Sequence, residues 1–111
     1  MVAKVRVILD SSATPPVIII PKRRSIPKGA QKIEWTPIAN EDFAFTSLTP
    51  LDHPNPFSNI VVQSSMITSD YSNTTSGEYG YTIVVTSTRD GEKYSSEVIG
   101  GGGGNATIKN N

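Results

Sequence analysis

The chain has 111 residues, and a chain of this length buries roughly 65% of its unfolded surface, enough for one modest hydrophobic core. The sequence contains no cysteine and a single histidine, which excludes disulfides, thiolate chemistry and a zinc site built from several Cys and His ligands. Its formal net charge of zero is unlike that of the strongly basic domains that bind nucleic acid. We therefore expect a single domain over residues 1–111, without a metal and without a nucleic-acid partner.

The first residues, MVAKVRVILDSS, are predicted to belong to the fold. Lys4 and Arg6 interrupt the apolar run, which argues against a signal peptide, and the alternation has the period of a strand. Nowhere does the sequence reach the ~18 apolar residues that a membrane helix requires. We expect no membrane partner, and a cytoplasmic location is the default expectation.

Short segments of β-branched and aromatic residues, separated by turn-forming residues, follow one another along the whole chain. They are VAKVRVIL, PVIIIP, KIEWTP, DFAFTS, NIVVQSS, YGYTIVVTST, EKYSSEVI and NATIK. None carries the stripe of apolar residues that marks a helix, and several alternate at period two. About eight short strands are typical of a β-sandwich, so the predicted fold class is all-β.

The segment SGEYGYTIVVTSTRDGEKYSSEV gives the clearest local prediction. Tyr79, Tyr81 and Ile83 lie on one face of a strand. Asp90 and Gly91 tolerate positive φ and predict a tight hairpin into the next strand.

The same segment resembles an immunoglobulin-like domain. Gly77-x-Tyr79-x-Tyr81 is similar to the start of strand F in such domains, where a glycine turn precedes a corner tyrosine. The resemblance implies a single immunoglobulin-like sandwich in which Trp35 takes the place of the core tryptophan and Tyr81 replaces the usual cysteine.

Charges are segregated along the sequence. Residues 1–33 hold seven Lys and Arg residues against Asp10 alone, whereas residues 34–88 hold six acidic residues and no Lys or Arg. This pattern predicts charges paired across strands, or else a molecule with a basic and an acidic end that associates head to tail. The cluster Lys22–Arg24 lacks the interleaved aromatics of a nucleic-acid patch, and we interpret it as protection of a sheet edge.

The stretch LTPLDHPNPFSN is predicted to be an irregular loop, because Pro54 and Pro56 remove backbone donors. It is either a stiff crossover between sheets or a ligand-binding loop, and the sequence gives no specific support for a ligand. His53 follows Asp52, but no serine lies in a nucleophile elbow, so a catalytic triad is not expected.

The segment VIGGGGGNATIKNN closes the chain. A phosphate-binding glycine loop leads into a helix, whereas here β-branched Thr107 and Ile108 follow, so no nucleotide or other cofactor is expected. We predict that residues 100–104 form a flexible linker and that residues 105–111 form a C-terminal strand, which pairs in the sheet and completes the fold.

Four polar residues near this tail form the candidate chemical site: Lys93, Glu97, Asn105 and Asp90. A lysine amine kept neutral by burial can attack the Asn105 side-chain carbonyl while a protonated carboxyl polarises it, giving an isopeptide bond and ammonia. The alternative is that Lys93 is exposed to solvent beside the hairpin and that Asn105 only turns the chain.

The size, the strand pattern, the DGEKYSSE hairpin and the glycine-rich stretch before TIKNN together resemble the small bacterial DP-EP family. That resemblance implies self-cleavage at an acidic residue followed by proline near the C-terminus, with a lysine that captures the acidic residue. Here Asn105-Ala106 occupies the expected position, and none of the eight prolines follows Asp or Glu. We therefore expect an intact or inactive chain.

Two functions from different classes follow. The first is a structural or interaction module that associates with copies of itself through sheet edges. The second is a self-processing module, endopeptidase-like or isopeptide-forming, that cleaves or cross-links its own C-terminal segment.

Overall fold

A computed structural model describes residues 2–26, 32–38, 42–52, 55–72, 77–97 and 105–110. Within these ranges the chain forms ten strands. Their bounds are β1 Val2–Leu9, β2 Val17–Ile20, β3 Arg23–Ile26, β4 Lys32–Pro37, β5 Phe43–Pro50, β6 Phe57–Val62, β7 Ile67–Tyr71, β8 Gly77–Ser87, β9 Lys93–Ser95 and β10 Thr107–Asn110. A helix able to cross a membrane is absent from the described ranges. The all-β prediction is confirmed.

The strands form two mixed sheets and no barrel. The first sheet has the order β2-β1-β4-β7-β6, with β1 parallel to β4 and the other neighbours antiparallel. The second has the order β3-β10-β8-β5, and β9 also pairs with β8. In the second sheet β10 is parallel to β3 and antiparallel to β8.

Alternation along the strands builds the core. In β1, Ala3, Val5 and Val7 are buried while Lys4 and Arg6 face solvent, as the period-two pattern predicts. Side chains from both sheets enter one buried cluster, so the sheets share a single hydrophobic core. Each fully buried aliphatic or aromatic side chain stabilises the fold by about 1.5–3 kcal/mol.

An aromatic contact joins the two sheets at the centre of the core. The rings of Trp35 on β4 and Tyr81 on β8 meet edge to face, with centroids 5.4 Å apart, and both residues are fully buried. Phe57 packs against both rings, with centroids 6.3 Å from Trp35 and 6.1 Å from Tyr81. Within the described residues, the Trp35 Nε1, Tyr71 hydroxyl and Tyr81 hydroxyl make no hydrogen bond.

This buried phenol predicts a pH dependence of stability. Burial raises the pKa of Tyr81 well above its ordinary value of 10. Since the folded chain holds the protonated phenol more tightly than the unfolded chain does, stability is intact below pH 10 and declines as the pH rises beyond it.

We expect Tyr81→Phe to move the alkaline unfolding midpoint to higher pH, because the variant has no proton to lose at this position. At neutral pH its stability should match or exceed that of the original chain by about 1 kcal/mol, since a buried hydroxyl without a partner is removed. Circular dichroism during a titration from pH 8 to pH 12 measures the midpoint. An unchanged midpoint would show that Tyr81 does not govern alkaline unfolding.

The chain crosses from one sheet to the other between β2 and β3. β2 pairs with β1 only at Arg6–Leu9, and after Ile20 the chain enters the second sheet as β3. The carbonyl of Lys4, beyond this pairing, accepts a hydrogen bond from Arg24 Nε at 3.3 Å. The Arg24 side chain of β3 thereby satisfies the Lys4 carbonyl of β1, which β2 does not reach.

Opposite charges from the two segregated parts of the sequence meet on the surface. Arg23 Nε lies 2.5 Å from Glu78 Oε1, and Lys32 Nζ lies 3.9 Å from Asp70 Oδ1. These exposed pairs contribute about 0–1 kcal/mol each. Cross-strand pairing was the first of the two predicted explanations, and β3, which carries Arg23, lies at the edge of the second sheet.

Candidate functional site

Two strands share one side of β8, and the candidate residues lie in them or close to their ends. β9 follows β8 through the predicted turn, in which Gly91 has a φ of +72° and its N–H donates to the Ser87 carbonyl at 3.0 Å. β10 pairs with the other end of β8 in the same antiparallel direction. The last strand therefore lies within the second sheet, with Ala106 and Ile108 buried.

The register shows that β9 and β10 lie one after the other along the same side of β8, so that together they form one interrupted line. Ser95 pairs with Val84, and the N–H of the next residue, Ser96, donates to the Ile83 carbonyl at 2.9 Å. The Ala106 carbonyl accepts a hydrogen bond from the Tyr81 N–H at 3.1 Å. Ser96 and Ala106 thus face positions only two apart on β8, roughly 7 Å along a strand, although ten positions separate them in the sequence.

Ser96 is the last residue that bonds to β8 before the interruption. It is buried, and its hydroxyl accepts a hydrogen bond from the Ile83 N–H at 2.8 Å. In an uninterrupted antiparallel ladder a main-chain carbonyl would take that hydrogen bond. The serine side chain therefore keeps the β8 backbone satisfied where the main-chain pairing stops.

The register does not bring Lys93 to Asn105. Lys93 pairs with Thr86, whereas Ala106, the residue after Asn105, faces Tyr81. In that register Asn105 would face Thr82, and the four positions from Thr86 correspond to roughly 13 Å along β8, more than a lysine side chain spans. Lys93 is also exposed, so it lacks the burial that amine attack requires.

Glu97 and Asn105, by contrast, flank the interruption. Glu97 follows the last residue paired with β8 before it, and Asn105 precedes the first residue paired after it. Glu97 is exposed, and its N–H donates to Ser95 Oγ at 3.0 Å. Asn105 is half-buried and directly precedes Ala106. Glycines 100–104, which the sequence predicts to be a linker, lie outside the described residues, as does His53.

Asp90 has a local structural role in the hairpin. Its carboxylate accepts hydrogen bonds from the Glu92 N–H and the Tyr94 hydroxyl, each at 2.8 Å. These hydrogen bonds hold the pKa of Asp90 below its ordinary value. The hydrogen bond between Tyr94 and Asp90 also raises the pKa of Tyr94. Asp90 stabilises the turn that follows β8, whereas Ala106, next to Asn105, faces Tyr81 near the middle of β8.

Two cavities adjoin this part of the molecule. A polar one of 150 Å³ lies at the hairpin end, where Asp42 and Arg89 form an ion pair beside Asp90 and Tyr94. A more apolar one of 260 Å³ lies between β2 and the β9–β10 line, with Val17, Ser96 and Ala106 in its wall. The described ranges contain no cluster of three or more His, Cys, Asp or Glu side chains suited to a metal ion.

Comparison of the sequence with protein-family models finds no match, and comparison with curated proteins finds none either. The resemblance to the DP-EP family therefore stays a prediction. Two structural features remain as evidence on function. They are the interrupted pairing of β9 and β10 with β8, and the exposed apolar side chains on the sheet edges.

Sequence reasoning missed Ser96 and the edge of β6. The buried serine has no distinctive pattern, because SS in KYSSEV precedes the glycines without any motif. The signal for the edge was the IVV triplet in NIVVQSS, in which adjacent apolar residues break the alternation of a half-buried strand.

Proposed function

We propose that this protein is an interaction module that associates with further copies of itself through the two edges of the first sheet. The observation that carries the proposal is the exposure of Val61 and Val62 on edge strand β6, at 50% and 37%. Ile20 on the opposite edge strand, β2, is 43% exposed. Among the described residues, no strand pairs with the outer side of β2 or β6.

Strand direction makes these two edges complementary. β4 runs parallel to β1, and two successive antiparallel pairings make β6 run in the same direction as β1. β2 runs the opposite way. When two copies are related by translation, β6 of one therefore meets β2 of the next in antiparallel orientation, the more stable pairing. Such a contact is heterologous and can repeat without closure.

The local shape of β6 limits where the pairing can occur. The register shifts between Ser58 and Val61, and Asn59 has a φ of +50°. A bulge of this kind twists an edge and interrupts its row of backbone groups. We infer that Ile60–Val62 supply the pairing segment, with the Val61 side chain covered by the neighbouring copy.

Val61→Lys tests the proposal. We expect the original chain to show a sedimentation coefficient that rises with protein concentration, and the variant to associate at least about tenfold more weakly, because a charge would be buried in the contact. Leu51→Lys is a matched control, since Leu51 is 43% exposed but lies on neither edge of the first sheet. A monomer at every concentration, or equal loss in both variants, would contradict edge pairing.

We further infer that the two sheets pack as an immunoglobulin-like sandwich with one added strand. The strand order supports placing β4, β7 and β6 as strands B, E and D, and β5, β8 and β10 as strands C, F and G. β2 and β3 then form a divided strand A, and β1 is inserted between A and B.

This assignment changes the role expected for Trp35. The sequence resemblance implies a strand C tryptophan, whereas β4 takes the strand B position. Because β8 takes the strand F position, the contact between Trp35 and Tyr81 occupies the place of the disulfide that links strands B and F in antibody domains. Aromatic packing would replace the covalent link in a chain without cysteine.

A further inference from the structure

The apolar cavity between β2 and the β9–β10 line has a buried floor and an exposed rim. Its floor contains buried residues of both sheets, which are Val17, Ile19, Ser96 and Ala106. Thr14 and Lys22, which are exposed, also line it. The cavity, of 260 Å³, therefore runs from solvent into the gap between the two sheets.

The chemistry of the wall favours an apolar occupant over water. Alanine, proline, valine and isoleucine supply most of the wall, and the hydroxyl of Ser96 is the only buried side-chain polar group in its described part. That hydroxyl already accepts a hydrogen bond from the Ile83 N–H at 2.8 Å. A buried water needs about two to four polar partners, which the side chains of this floor do not offer.

The volume sets the size of the occupant. A cavity of about 150 Å³ with aliphatic and aromatic walls holds benzene, so each non-hydrogen atom takes about 25 Å³. At that density, 260 Å³ accommodates roughly ten non-hydrogen atoms. The occupant that fits is therefore a small molecule with a short apolar chain.

Lys22 decides the charge of that molecule. It is the only charged residue in the described part of the wall, and no carboxylate lies there to oppose it. None of the ion pairs among the described residues involves Lys22, so its ammonium is available to a ligand. An ammonium attracts a carboxylate and repels a cation, and its flexible stem lets it follow a head group at the rim.

We propose that this cavity binds a small amphiphilic carboxylate, with the alkyl chain against Val17, Ile19 and Ala106 and the carboxylate at Lys22. Octanoate has the roughly ten non-hydrogen atoms that the volume admits. Burial of the chain supplies the affinity, and the ion pair selects the sign of the charge. The inference does not rest on edge pairing, because it uses no residue of β6 and no second copy.

Titration of the isotope-labelled protein with sodium octanoate tests the proposal by NMR. We expect saturable amide shifts centred on Val17, Ile19 and Ala106, with submillimolar affinity. Octylammonium has the same chain and the opposite charge, and it should bind at least about fivefold more weakly. Shifts that do not saturate, shifts centred elsewhere, or equal affinity for the two ligands would overturn the proposal.

Lys22→Met removes the ammonium and keeps most of the apolar stem. We expect this variant to bind octanoate at least about fivefold more weakly and to lose most of its discrimination against octylammonium. Lys93→Met is the matched control, since Lys93 is exposed and lies outside the cavity wall. Equal weakening in the two variants would show that overall charge governs binding, which would overturn the role of Lys22.

Ala13→Leu fills the cavity from its wall. Ala13 is half-buried in the turn before β2, so the variant should fold, which circular dichroism checks, and its octanoate affinity should fall at least about tenfold. Ala44→Leu, at a half-buried alanine of β5 outside the wall, is the control. Undiminished binding by folded Ala13→Leu would overturn the proposal.

The same titration of Val61→Lys separates ligand binding from edge pairing. Its octanoate affinity should equal that of the original chain, because Val61 lies outside the cavity wall. Loss of binding in this variant would place the ligand at a contact between copies and would overturn the cavity as its site.

Discussion

Replacing Trp35 with alanine should destabilise the protein by about 3–5 kcal/mol, the usual loss for a large aromatic residue removed from a core. Trp35 is fully buried and packs against Tyr81 of the other sheet and against Phe57. A domain of this size is typically stable by only about 5–15 kcal/mol, so the loss consumes much of the total. The thermal midpoint should fall by roughly 12 °C or more.

Urea denaturation followed by circular dichroism measures this loss, because Trp35 is the only tryptophan and its fluorescence disappears with it. Trp35→Phe is the matched control. It keeps an aromatic ring against Tyr81 and removes the indole N–H that has no hydrogen bond among the described residues, so its loss should be clearly smaller. A loss below about 1 kcal/mol for the alanine variant would show that this contact does not hold the sheets together.

Deleting Glu97–Gly104 should leave the fold intact and increase its stability by about 1–2 kcal/mol. The deletion joins Ser96, which faces Ile83, to Asn105, whose following residue faces Tyr81, so β9 and β10 become one strand in register. Closing an eight-residue loop costs (3/2)RT ln n plus a constant, and removing the loop recovers an entropy of that order. Thermal unfolding followed by circular dichroism measures the gain.

The control deletion removes residues 98–104 and leaves Glu97 between Ser96 and Asn105. The one extra residue forces either a bulge or a slip of β10 by one position, which would turn Ala106 and Ile108 toward solvent. Exposing Ile108 costs about 1.5–3 kcal/mol, so this variant should be less stable than the longer deletion. Equal stability of the two deletions would contradict the shared register.

The strands that alternate apolar and polar residues were predictable, and two others were not. Each of the eight predicted segments contains a strand, because β-branched and aromatic residues mark them. β3 escaped prediction because RRSI has only one apolar residue, Ile26, and β3 forms by pairing in parallel with β10, a contact distant in sequence.

β7 was missed for a different reason. Its inward residues are Ile67, Ser69 and Tyr71, so a serine breaks the apolar alternation. Ser69 is fully buried, and its hydroxyl lies 3.2 Å from the Ser58 carbonyl oxygen and 2.8 Å from that of Asp70. A buried hydroxyl that is satisfied by backbone carbonyls leaves no signal in a hydrophobicity pattern.

The candidate site was predictable in its placement but not in its register. The sequence indicates that TIKNN returns as a strand and that a turn at Asp90-Gly91 precedes Lys93, and both features are present. Whether Lys93 meets Asn105 depends on which residues of β8 each strand faces, and a shift of a few positions decides it. Local patterns carry no information on that alignment, and the alternative of an exposed Lys93 is the one observed.

The shared register of Ser96 and Ala106 on β8 also bears on how such a chain can vary over evolutionary time. At the Asp90–Gly91 hairpin, one added residue would disturb the contact between Tyr94 and Asp90. Between Ser96 and Ala106, extra residues change only the path between two anchored points, and both anchors are held by backbone groups of β8. We therefore expect this connection to tolerate added sequence better than the hairpin does.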